Sequence, residues 1–149
     1  MSQGQGRFVM SVSLYEASIP TFLLSLSNLQ KILEKAVAHA EARKFDPNVF
    51  ASMRLYPDML PLARQVQIAS DSAKGAAARL TGTEAPKFED TETTMAELIA
   101  RVAKTIDYLQ TFKPEQFAGA EERAINFNFP GVSFNFNGLN FLRHWALPN

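Results

Sequence analysis

One polar line runs through the middle of the chain. Gln67, Asp71 and Lys74 stand at i, i+4 and i+7, a spacing that puts them on one face of a helix. Beside them the sequence is almost entirely small: Ser70, Ser72, Ala73, Gly75, Ala76, Ala77 and Ala78. Two chemistries fit this pattern. In one, the line is a buried polar patch facing a pocket, with His144 or Arg143 opposite as proton donor or anion holder. In the other, it is a solvated helix face on which Asp71 and Lys74 pair at i, i+3, the commoner setting for polar side chains.

Elsewhere reactive chemistry is sparse. With no cysteine and two histidines in the chain, disulfides, thiolate metal sites and cysteine nucleophiles are excluded. His39 falls at the edge of an apolar stripe and reads as a surface side chain. Glu89, Asp90 and Glu92 crowd the approach to a helix, where capping and dipole compensation account for them. No serine is paired with a base, and no glycine-rich phosphate loop is present. Trp145 with Phe141 reads as core, because no basic groove accompanies it.

These residues need elements to hold them. Apolar positions from Ile19 through Phe22, Leu26, Leu29, Leu33 and Val37 to Ala40 repeat at helical spacing, which predicts a first helix over Ser18–Arg43 with Pro20 in its first turn. Asp46 and Pro47 then predict the cap and first residue of a short helix. Met59, Leu62, Val66, Ala69, Ala73, Ala76 and Leu80 form the seam of a second long helix, closed by Gly82. A third long helix carries Met95, Leu98, Val102, Ile106, Leu109 and Phe112, with Thr91 or Thr93 as its cap. "KPEQFAG" adds a short helical turn from Pro114.

In "AINFNFPGVSFNFNG" the period changes to two. Pairing Phe129 with Val132 across Pro130-Gly131 sets Phe127 opposite Phe134 and Ile125 opposite Phe136, so six apolar side chains share one face of a hairpin and asparagines take the wet one. Asn137 and Gly138 end the second strand, and "LNFLRHWAL" reads as helix again. The apolar ending "FLRHWALPN" looks like the start of an element rather than its close.

Composition bounds the partners. The chain has 149 residues, 46% hydrophobic and 20% charged, with fifteen basic and fifteen acidic side chains. The formal net charge is zero and no Lys/Arg block occurs, which removes the footprint of a nucleic-acid binder or an anionic-membrane binder. Near neutrality favours self-association. No signal-peptide pattern or bilayer-length apolar run is found, so a cytoplasmic location is expected. Residues 1–10 are a polar, glycine-containing lead-in expected to be a disordered extension, ahead of one domain over 11–149.

The segments "SLYEASIPTFLLSLSNL", "RLYPDMLPLARQVQIASDSAKGAAARLTG", "FEDTETTMAEL" and "LRHWALPN" together resemble the DinB/YfiT-like four-helix bundles, in the bacterial and fungal branch kept as a domain of unknown function. The resemblance covers Ser11 to Asn149 and implies an all-α, up-down four-helix bundle with a short hairpin before the last helix. It also implies that "LRHWALPN" leads into a long closing helix, so the expectation here is a bundle whose last helix is truncated and whose exposed stripes would call for a swapped dimer or another added helix. Many relatives of this kind hold a divalent ion with three histidines, one on the second long helix and two a helical turn apart near the end. This chain departs from that pattern: the matching position lies near Gln67, and Pro148 stands four residues after His144.

The resulting expectation is a small-molecule-binding or structural homodimer without metal or cofactor, its pocket built around Gln67, Asp71 and His144, with no catalytic residue assigned. The alternative implied by the resemblance is a metal-dependent transferase acting with a thiol cofactor.

Overall fold

The structure, a computed structural model, describes residues 12–149. The expected disordered lead-in over 1–10 lies outside the described residues.

Helix α1 spans Leu14–Arg43 and begins four residues before the expected Ser18. Its start is fixed by a capping box within "SLYE". The Ser13 hydroxyl accepts the Glu16 N–H at 3.2 Å, and the Glu16 carboxylate accepts the Ser13 N–H at 3.2 Å, satisfying two backbone donors that a helix end leaves open. Ser18 is therefore a buried helical residue whose hydroxyl donates to the Leu14 carbonyl. Pro20 stands beyond the first turn. It faces solvent, where the carbonyl it leaves without an amide partner can be hydrated. Lys44, in the left-handed region at φ 59°, closes the helix onto Ala40 and Glu41.

A short helix, α2 (Val49–Ser52), follows. Asp46 accepts the Asn48 N–H at 2.9 Å, and the Asn48 side chain in turn accepts the Met95 N–H at 3.0 Å, so this loop is tied to a distant helix start. Helix α3 spans Leu62–Thr81 behind Pro61. Met59, expected in its seam, lies outside the helix and is exposed, because Pro61 holds the start to Leu62, three residues later. The small-residue half of α3 is packed: Ala73, Gly75, Ala76, Ala77 and Ala78 are all buried. Gly82, at φ 70°, ends the helix as expected.

Helix α4 spans Met95–Gln110. Its cap is Thr94, not Thr91 or Thr93: Glu97 accepts the Thr94 N–H at 2.9 Å while the Thr94 hydroxyl accepts the Glu97 N–H at 3.2 Å. Met95, Leu98, Val102 and Leu109 are buried as the stripe requires, and so is Arg101. Helix α4 packs along both α1 and α3, whereas α1 and α3 meet each other much less. An open groove of about 290 Å³ remains between them, walled by Phe22, Leu26, Leu29, Ala69 and Ala73.

Two 3-10 turns, Pro114–Phe117 and Ala120–Glu122, lead into the hairpin of β1 (Ile125–Phe129) and β2 (Val132–Phe136). Its antiparallel register is the expected one, Ile125 with Phe136, Phe127 with Phe134 and Phe129 with Val132, and Gly131 takes φ 84° at the turn. The base of the apolar face, at Ile125, is buried, whereas Phe129 and Val132 near the tip remain exposed.

Asn137 does not merely end the strand. Its side chain accepts the Asn140 N–H at 2.9 Å and so caps α5 (Gly138–Phe141). At Gly138 a Cβ would collide with the Ala120 carbonyl oxygen, so glycine lets the chain turn tightly against the bundle. The following residues, Leu142–Ala146, form a π turn, with the Leu147 N–H bonded to the Leu142 carbonyl at 3.0 Å. The whole is a mostly helical bundle with a small hairpin near its C-terminal end.

Candidate functional site

Gln67 and Asp71 are one turn apart on α3, and both are bound into a polar cluster centred on Arg101 of α4. The Arg101 side chain is only 2% exposed. Its Nη1 donates to both oxygens of Glu92, at 2.9 and 3.1 Å, and to the Glu89 carbonyl at 3.0 Å. Its Nη2 reaches Asp71 at 3.1 Å and Asp90 at 3.0 Å. Gln67, 4% exposed, donates its amide to Glu92 at 3.0 Å and accepts from Arg64 at 3.1 Å; Arg64 also pairs with Asp90. Asp71 accepts from Lys74 at 2.8 Å.

This arrangement follows from the cost of burying charge. A guanidinium taken out of water must be met by carboxylates and hydrogen bonds, and here Arg64, Lys74 and Arg101 are met by Asp71, Asp90 and Glu92. The Lys74 and Lys104 ammonium groups each lie 4.2 Å from the centre of the Phe88 ring, which adds cation–π attraction. Together these contacts fasten the segment 83–94 across α3 and α4. Asp90 and Glu92 are thus partners of Arg101, not the capping and dipole groups expected; that task belongs to Thr94 and Glu97. The Asp71–Lys74 pair exists, yet the face is not a solvated one, since Lys74 is buried.

The carboxylates respond to this setting. The hydrogen bond from Arg64 holds Asp90 below its ordinary pKa against a smaller opposing effect of burial, with the Arg101 and Arg64 charges acting the same way as the bond. For Glu92, burial pushes the pKa up, but hydrogen bonds from Arg101, its own backbone and Gln67, with the Arg101 charge, outweigh it and leave the group below its ordinary value.

His144 is not brought to Gln67 and Asp71. It is exposed on the π turn and forms no hydrogen bond among the described residues. Its neighbour Trp145, expected as core, is half-buried instead and faces Asp71 across a cleft of about 230 Å³ between α3, the hairpin and the π turn. Ile68, Asp71, Ser72 and Arg79 line the α3 side; Phe127, Phe129 and Trp145 line the other. The Trp145 indole is stacked on Phe127 at 5.1 Å and on Phe129 at 6.3 Å between ring centres, the offset arrangement aromatic quadrupoles prefer.

Arg79 completes the cleft. Its side chain folds back along α3 over Gly75, where a Cβ would collide with it, and its guanidinium carbon lies 4.7 Å from the centre of the Phe127 ring. Among the described residues it has no ion-pair partner. It remains exposed on its outer side, and its partial burial against the hairpin lowers its pKa from the usual value. The sequence carried a signal for this: a glycine four residues before an arginine on a helix leaves room for that side chain to lie flat.

A divalent ion of the kind implied by the DinB resemblance does not fit these side chains. Gln67 spends both ends of its carboxamide on Glu92 and Arg64, His39 is on α1 with its ring edge-on to Phe45, and among the described residues no three His, Cys, Asp or Glu side chains gather as ligands.

Bundle, hairpin and cleft define a DinB-like helical protein. The family described as a domain of unknown function (DUF1993) matches residues 14–149, and the chain belongs to that family. It is also similar to a solved structure, the crystal structure of a DinB family member protein from Shewanella denitrificans at 1.83 Å resolution, with 41% identity and a TM-score of 0.81 over 91% of this chain and 76% of that one. No curated protein matches. Among the described residues no helix is long and apolar enough to cross a membrane.

Proposed function

We propose that this chain is a cytoplasmic small-molecule-binding bundle that works without a metal, with its site in the cleft between α3 and the hairpin. The observation that carries this reading is the half-buried Trp145 stacked across Phe127 and Phe129 and facing the polar edge of α3. An aromatic wall opposite a few fixed polar groups is the usual make-up of a ligand site. At about 230 Å³ the cleft exceeds the roughly 150 Å³ that holds benzene and falls short of common drug-sized pockets, which suits a ligand of one or two rings.

Of the three residues expected in the pocket, Asp71 lines this cleft, Gln67 supports it from behind through the Arg101 cluster, and His144 stands outside. Trp145 is the chain's one tryptophan, so a single indole N–H resonance reports on the cleft. A screen of one- and two-ring fragments by NMR is expected to find compounds that move this resonance; a screen in which it never moves refutes the reading.

The open groove between α1 and α3, together with Leu24 and Ile32 exposed elsewhere on α1, supports the homodimer expectation. Light scattering at tens of micromolar is expected to give twice the chain mass, and a monomer there discards the dimer. The thiol-cofactor transferase finds no support in the donor set around Gln67 and is not carried forward.

A further inference from the structure

Resting on the cleft as the binding site, we infer that its ligand is a flat aromatic monocarboxylate, anchored by Arg79 and stacked beside Trp145. Charge decides the anion. Two charged side chains line the cleft, Asp71 and Arg79, and Asp71 is already neutralised by Lys74 at 2.8 Å and Arg101 at 3.1 Å. Arg143 and His144, on the π turn, do not line the cleft. Arg79, exposed at the rim of the cleft, is thus the cleft's charge without an ion-pair partner, its donors free among the described residues to meet a ligand.

Geometry decides the rest. The guanidinium carbon lies over the Phe127 ring, and its N–H groups are left to meet an acceptor, the fork that matches a carboxylate bidentately. A single guanidinium balances a monoanion; a phosphate at neutral pH carries closer to two charges and would need a second cation here. The aromatic wall of Phe127, Phe129 and Trp145 accepts a planar apolar body, and the cleft volume limits that body to about two rings.

The test compares 2-naphthoate with its uncharged isostere 2-naphthamide, each titrated into the full chain while the Trp145 indole N–H resonance is followed. Naphthoate is expected to shift the resonance and to bind about tenfold tighter than the amide, the size of a charge-assisted hydrogen bond. Arg79→Gln is expected to abolish the preference for naphthoate over the amide, whereas Arg79→Lys retains part of it. Equal affinities in the unmodified protein, with the resonance moving in both titrations, would overturn the anion assignment and leave the cleft standing. If neither compound moves the resonance, both readings fall. The comparison within the unmodified protein decides the matter even if an Arg79 variant does not fold.

Discussion

Replacing Arg101 with methionine keeps most of the side-chain length and removes the charge at the centre of the polar cluster. The loss falls unevenly on its three carboxylates. The side chains of Asp71 and Asp90 are 42% and 35% exposed, so both can turn to water and behave as surface pairs, worth about 0–1 kcal/mol each. Glu92 is 14% exposed. It loses two charge-assisted hydrogen bonds and keeps the one from Gln67, at about 1.5–3 kcal/mol. Arg101→Met is therefore expected to destabilise the fold by about 2–4 kcal/mol, below the full penalty of a completely buried broken pair. With a urea m-value near 2 kcal/mol/M, the unfolding midpoint should fall by about 1–2 M. Adding Glu92→Gln removes the stranded charge and should recover about 1 kcal/mol or more, a coupling that a double-mutant cycle measures. A loss under about 1 kcal/mol at unchanged m would refute the reasoning, because the cluster would then contribute no more than exposed pairs do.

Three other outcomes follow from the same structure. Asp90 and Glu92 have folded pKa values below their ordinary 3.8 and 4.5, so their contribution is fully present above those values and is lost as pH falls through the folded ones. Urea titrations from pH 6 to pH 3 should show declining stability, with a shallower decline in Arg101→Met; parallel curves would exclude the pair as the cause. Ala77 is fully buried on the packed half of α3, so Ala77→Leu should cost about 1–3 kcal/mol by overpacking, and an unchanged thermal midpoint would mean the seam has room. Asp71→Asn weakens the ion pair that buried Lys74 makes among the described residues, so it should lower stability by about 1–3 kcal/mol; a neutral result would show that Lys74 reaches water.

The hairpin was the most legible element, because a two-residue period and a Pro-Gly turn fix which side chains oppose one another. The stripe of α4 and the end of α3 at Gly82 were legible for the same reason: local chemistry decides them. The start of α1 was not legible from its apolar stripe, because the Ser13–Glu16 box that sets it lies ahead of that stripe. The Arg101 cluster joins residues about thirty positions apart, and its one local sign is that Arg101 sits on the apolar stripe, three residues after Leu98. The position of His144 was not legible, because the chain passes through a turn closed i to i+5, which changes the residues that share a face.

The hairpin also bears on what heating does to this protein. Among the described residues it is a two-stranded sheet with both outer edges unpaired, and residues 125–136 contain no charged side chain. Lysines or inward charges are the usual guards against edge-to-edge addition of strands, and this segment has neither. Its alternation of phenylalanine and asparagine is instead well suited to interdigitated cross-β stacking, interrupted only by Pro130-Gly131. What keeps those edges apart is the docking of the apolar face onto α5 and Trp145. Undocking of the hairpin is therefore the step by which heating would expose a segment able to add strands edge to edge.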